Sequence, residues 1–372
     1  MKKAIINFLI VLVITTAVVG SSFAQYSRTA SQPEQNGPYT LSELNLTLRR
    51  SVGRDMTQAD LAARIDRLGI AFDPTPEIIN RLRTNGAYPL LLNSIRRAGE
   101  RFAASAILSA GGTVATTNVI TADPIIEEVR RNVRDYIEGL PDFICQQEIT
   151  RYIDRDGTGG WERMDSLTYE ITYNGKRETY KPLRVNGYQA GQALEKVGGA
   201  TSTGDFASRL AMLFDPETRA TFKAAGKERL GTHQTLIYDF KVPRATSKNT
   251  LQFEPLPAVI FGYSGSVWVD AETKQVLRIE LAAEDLPPSY TGISAENIID
   301  YEMVKLRGLD VEVLLPIRAE IVLGDRGRKR YSRNVNVFKF YRKFETDIKL
   351  LDDVTPEEPS QETQEVKPSA KP

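Results

Sequence analysis

One cysteine and one histidine stand in 372 residues, and each scarcity removes a class of chemistry. With Cys145 alone, neither an intramolecular disulfide framework nor a zinc site built on several thiolates can form. With His233 alone, two-histidine metal sites and two-histidine acid–base pairs are excluded. An excess of charge is also missing: 48 basic residues balance 48 acidic ones, which excludes a generally basic nucleic-acid binder. Beyond the N-terminus no stretch approaches 18 uncharged apolar residues, so no further membrane-spanning helix is expected. There is no phosphate loop, no dinucleotide fingerprint and no repeat of fixed period. No cofactor, no catalytic group and no metal is expected from what remains. Apolar residues at 41% and charged residues at 26% describe an ordinary globular protein, long enough for about two domains.

The first 24 residues read as a secretory signal peptide. Lys2 and Lys3 give the positive start, an apolar run from Ile5 to Val19 follows, and Ser22-Phe23-Ala24 supplies a small-residue cleavage site. The expected mature chain begins at Gln25 and is periplasmic or secreted. Residues 25–39 are a polar linker. From 40 to 101 the apolar spacing turns helical, with Leu61, Ile65 and Leu68 on one face and Thr75-Pro76 opening another helix. This small helical module has an arginine surplus too slight for DNA and reads as an interaction or spacer unit. Residues 102–122, rich in Ala, Thr and Gly, read as a flexible linker. The tail 352–372 is acidic, proline-rich and nearly devoid of apolar residues, so it should be disordered.

Between 123 and 351 the pattern changes. Asp123-Pro124 starts a helix with Ile126, Val129, Val133 and Ile137 inward. Beyond it the period becomes two: Leu167 to Tyr173 alternates, Asn174-Gly175 turns, and a partner strand returns to Val185. Strands follow at Leu236–Val242, Val267–Val269, Leu277–Leu281, Ile317–Leu323 and Val335–Phe344, joined by hairpin-length turns. Thr203 caps a helical insert carrying Phe206, Leu210, Leu213 and Phe214 on one stripe, and Asp215-Pro216 restarts a second helix. The implied fold is α+β: a curved antiparallel sheet with a helical insert on its concave face, preceded by the all-α module. The stripe either lines an apolar cavity, which makes its four residues the ligand-binding candidates, or plugs a solid core.

Four other segments invite chemistry. Gly262-Tyr263-Ser264-Gly265-Ser266 resembles a serine elbow but lacks its last glycine, and His233 precedes it. Cys145 has apolar neighbours, which suit a buried thiol. Asp154 to Asp165 places oxygens at positions of a calcium loop, yet ends on Asp and lies between strands. The segment 324–333 packs five cations around a hairpin tip, either a solvated loop or a contact for anionic headgroups.

Three segments together carry a family resemblance: Leu140-Pro141-Asp142-Phe143-Ile144-Cys145-Gln146-Gln147, Gly265-Ser266-Val267-Trp268-Val269-Asp270 running on to Arg278-Ile279-Glu280, and Leu315-Pro316. They resemble secreted acidobacterial proteins of unknown function whose strand-rich part is similar to the LolA-like lipoprotein-carrier superfamily. The resemblance implies a half-open β-barrel with an apolar cavity for acyl chains over roughly 123–351. It further implies a non-enzymatic envelope protein that binds a lipidic ligand or acylated protein. The alternative is an envelope interaction module that partners another protein and holds no small molecule.

Overall fold

The computed structural model describes residues 8–13, 36–51, 56–109, 123–190, 199–200 and 206–344. A strand β1 (Phe8–Val13) comes first and pairs in parallel with residues 249–253. It lies within the segment whose sequence reads as an export signal. Four helices follow: α1 (Leu41–Ser51), α2 (Gln58–Leu68), α3 (Pro76–Thr84) and α4 (Pro89–Ser109). Thr57 caps α2 by accepting the Asp60 N–H, and Pro76 at the first turn of α3 gives up a donor that had no helical partner. Leu44, Leu48, Leu61, Ile65, Leu91 and Ile95 close a core of their own. Helix α4 continues to Ser109, well past the point where the composition suggested a linker. Its Ala, Ser and Ile residues carry no helix breaker after Gly99, so the Ala-rich stretch extends the helix instead of ending it. The remainder of that linker, residues 110–122, and the tail 352–372 lie outside the described residues, as does Thr203.

Asp123 caps α5 (Pro124–Gly139) by accepting the Ile125 N–H. Then come β2 (Phe143–Asp154), β3 (Glu162–Asn174), β4 (Arg177–Val185), β5 (Tyr188–Gln189) and β6 (Gly199–Ala200). Helix α6 (Ala207–Phe214) follows, and the second helix expected at Asp215-Pro216 is a single 3-10 turn over Pro216–Thr218. Arg219, in the left-handed region, ends that turn and sends the chain directly into a strand. The rest is β7 (Thr221–Leu230), β8 (His233–Val242), β9 (Asn249–Phe253), β10 (Val259–Ile260), β11 (Gly262–Asp270) and β12 (Val276–Glu284). The long strands β13 (Ile293–Lys305), β14 (Glu312–Asp325) and β15 (Arg330–Lys343) complete it.

Eleven strands form one antiparallel sheet in the order β5-β4-β3-β2-β15-β14-β13-β12-β11-β8-β7. Its edges, β5 and β7, do not pair with each other, so the curved sheet stays open. Alternation sends Val267, Ile279, Ile299, Ala319 and Phe338 to the concave side, where α5 and α6 pack against them in the second core. A small sheet, β10-β9-β1-β6, adjoins this core through Leu251 and Phe253. On the convex side α4 lies across β11, β12 and β13. The two hydrophobic cores stay separate, and what joins them is polar. Arg83 reaches Glu280, Arg96 reaches Asp239, the Tyr88 hydroxyl donates to Glu320 and Asn93 donates to Ser264.

Candidate functional site

The four stripe residues do not share one environment. Phe206 stands in an aromatic cluster with Phe143, Phe338 and Tyr341, at centroid separations of 5.2, 5.4 and 6.5 Å. Phe214 stacks on Phe222 at 5.3 Å, and Leu213 is wholly buried. These three fill the core between α6 and the sheet. Leu210, 1% exposed, is also packed, but it forms part of the floor of an open groove.

That groove has a volume of about 590 Å³, within the range of roughly 300–1,000 Å³ usual for small-molecule sites. Helix α5 supplies one wall through Val133 and Tyr136, with Leu140 at its C-terminal cap. The start of β12 supplies Val276, the β13–β14 connection Leu309, and the start of β14 Val313 and Leu314. Two anchors hold α5 over the sheet: the Tyr136 hydroxyl donates to Leu314 O at 2.7 Å, and Asn132 Nδ2 donates to Thr273 O at 3.0 Å. Burial raises the Tyr136 phenol, helped by Tyr173 and Glu178, so it stays a neutral donor. At the mouth, Met303 and Val311 are 43% and 50% exposed, a large apolar outlay for two solvent-facing positions. Asp135, Lys274 and Glu312 stand at the rim. An apolar trough with a charged rim suits an acyl chain whose polar end stays in water, and it offers no paired nucleophile and base.

The remaining candidates are occupied otherwise. Ser264 accepts from Asn93, and Ser266 donates to Asp239 while accepting from Arg96. Ser266 is opposite Asp239 in the β8–β11 register, and His233 lies six residues further along β8, about 20 Å at strand rise. His233 Nδ1 instead meets Asp270 Oδ2 at 2.6 Å. Burial opposes ionisation of Asp270, but the Thr273 and Glu272 N–H groups and His233 overcome it and lower its pKa. This is a turn cap. Cys145 is buried among the core residues, and burial pushes its thiol up. Asp154 spends its carboxylate on the N–H groups of residues 156–159, and Asp165 pairs with Arg151. At the basic hairpin, residues 326–329 are exposed, whereas Arg333 turns back to Glu320.

No family model matches the chain, and no curated protein matches it. Solved structures do. A DUF1329 family protein from Desulfovibrio piger is 13% identical at a TM-score of 0.32, covering 62% of this chain and 96% of that one. A putative outer membrane lipoprotein-sorting protein domain from Vibrio parahaemolyticus is 11% identical at 0.31, covering 58% and 90%. A LolA superfamily protein from Nitrosomonas europaea is 10% identical at 0.23, covering 59% and 94%. In fold, the chain is similar to LolA-superfamily proteins. At these values the likeness concerns the fold alone.

Of the four stripe residues Leu210 alone lines the groove, and none of its other lining residues was a candidate from the sequence. Its other walls come from strand ends and a connection. The usable signal was local: Leu309, Val311 and Val313 alternate with Asp310 and Glu312 where a polar turn was due.

Proposed function

We propose that this is an exported, non-enzymatic envelope protein that carries a lipidic ligand, held by an acyl chain in the groove between α5 and the β13–β14 connection. The observation behind this reading is the exposed apolar mouth at Met303 and Val311 leading to a floor that includes Leu210. Partners of that chemistry are free lipids and acylated proteins. Export would remove residues 1–24 and with them β1, while α5, β13 and β14 stay as they are. Among the described residues no helix is long and apolar enough to cross a membrane, consistent with a carrier that works in aqueous solution beside one.

Native mass spectrometry of the chain purified from a periplasmic fraction tests this. The expected species starts at Gln25 and carries a lipid that organic extraction removes. An unloaded species, or a retained Met1 in the membrane fraction, would count against the carrier and the export assignment respectively.

A further inference from the structure

A second cavity, of about 330 Å³, opens on the convex side of the sheet where the helical module meets it. Three glutamates of neighbouring strands lie beneath the module: Glu280 of β12, Glu296 of β13 and Glu320 of β14. The register makes them diagonal neighbours, since Ala282 faces Glu296 and Ile298 faces Glu320. All three are nearly inaccessible, and they are not treated alike. Glu280 has Arg83 and Arg278 within ion-pair distance. Glu320 has Arg318 and Arg333, both at 2.7 Å. Glu296, 4% exposed, has no cation within ion-pair distance among the described residues. Its Oε2 accepts the Leu90 N–H at 2.8 Å, and Oε1 accepts from no described residue.

Glu296 lines the cavity together with the aromatic side chains Tyr88, Trp161 and Tyr331 and with the Glu320–Arg333 ion pair, whose two charges offset each other. A buried carboxylate lacking a counter-charge is normally neutralised by a proton or by a bound cation. A metal ion is the poorer fit, because no three His, Cys, Asp or Glu side chains converge among the described residues. Aromatic walls with one carboxylate left without a cation match an organic ammonium, which pairs its charge with the acid and lays its methylenes on the rings. At about 30 Å³ per water-sized group, the cavity has room for roughly ten non-hydrogen atoms. We propose that this cavity binds a small primary amine, its ammonium donating to Glu296 Oε1 and to the Tyr88 hydroxyl oxygen.

Binding is then coupled to protons. Without ligand, burial pushes Glu296 up to about 7; the Leu90 N–H opposes this, and Glu320 and Glu280 add to it. Glu320 and the two phenols facing it change little across neutral pH. Arg333 and Arg318 hold Glu320 below the ordinary carboxylate range against the effect of its burial, and the Tyr88 and Tyr331 phenols are raised. The amine therefore displaces a proton, and its affinity grows as pH rises through about 7.

Calorimetric titration of the mature chain with ethylammonium and butylammonium chloride, at constant ionic strength, tests the proposal. Saturable binding of one equivalent is expected, about tenfold tighter near pH 8 than near pH 6, as ionisation of a group titrating near 7 requires. Glu296→Gln, which keeps the shape and the Leu90 hydrogen bond, should abolish it. Trp161→Ala should weaken it, and tetramethylammonium, lacking donors, should not bind. Absence of saturable heat with either amine, binding retained in Glu296→Gln, or an affinity indifferent to pH would each overturn it, leaving Glu296 a protonated buried acid. None of these readouts involves the acyl groove.

Discussion

Trp268 belongs to the Val-Trp-Val-Asp segment, yet its ring faces away from the barrel core. Val267 and Val269 point inward, and the indole lies on the convex side with its Nε1–H donated to Glu228 at 2.7 Å. The Arg83 guanidinium covers it at 4.5 Å and also reaches Glu280. One side chain thus supplies a cation–π contact and a buried ion pair to the module's seat. Arg83→Met should cost on the order of 3 kcal/mol, because Glu280 is left buried with only Arg278 beside it. Urea unfolding measures this. Glu296 acts in the opposite sense. Its folded pKa lies above the ordinary value of 4.5, so the neutral form favours folding, and that stability is present in acid and lost as pH rises through about 7. Glu296→Gln should flatten the fall between about pH 4.5 and 7, by on the order of 2–4 kcal/mol. Denaturation midpoints of both proteins across that window check the sign. The α6 stripe divides as well. Leu213→Ala should cost about 2–5 kcal/mol as a packed core leucine and leave the groove untouched. Leu210→Ala should weaken acyl binding in addition.

At the scale of elements, each feature of the sequence was readable where one physical signal dominated. Helix α2 announces itself through the spacing of Leu61, Ile65 and Leu68, α3 and α5 through Thr75-Pro76 and Asp123-Pro124, and the β3–β4 hairpin through Asn174-Gly175. Strands β7 and β13 did not. β7 is an edge strand whose Lys223, Lys227 and Arg229 face water, and a bulge at Gly226 breaks its alternation. β13 carries Glu296 and Asp300 on a side that reads as solvent-facing but lies under α4. Its carboxylates are buried by a partner some 200 residues away in sequence, which no local period reveals. The same long-range contact explains Gly159, at φ +80, where a Cβ would come within 2.3 Å of Ser51 O at the end of α1. Gly159→Ala should therefore loosen the module without disturbing the barrel core, read as faster amide exchange in α1 and α2 than in β14.

The whole molecule consists of two hydrophobic cores joined by ion pairs, hydrogen bonds and one tryptophan, the composition of an interface whose halves can part. The antiparallel sheet and its helical insert follow from alternation and turn chemistry. What the concave face leaves open does not, because it depends on how far α6 and α5 fill it. Among the described residues, the groove at the end of α5 is left open beside them. Titration of the chain with a fluorescent fatty-acyl probe, beside Val311→Asp, tests the proposed carrier function most directly. Val311 is half exposed, so the substitution spares the core. Saturable binding of one probe per chain, weakened about tenfold or more in Val311→Asp with unfolding unchanged, is the result the account expects, since a charge at the mouth must lose water when the chain enters. No saturable binding, or binding indifferent to Val311→Asp, would contradict it.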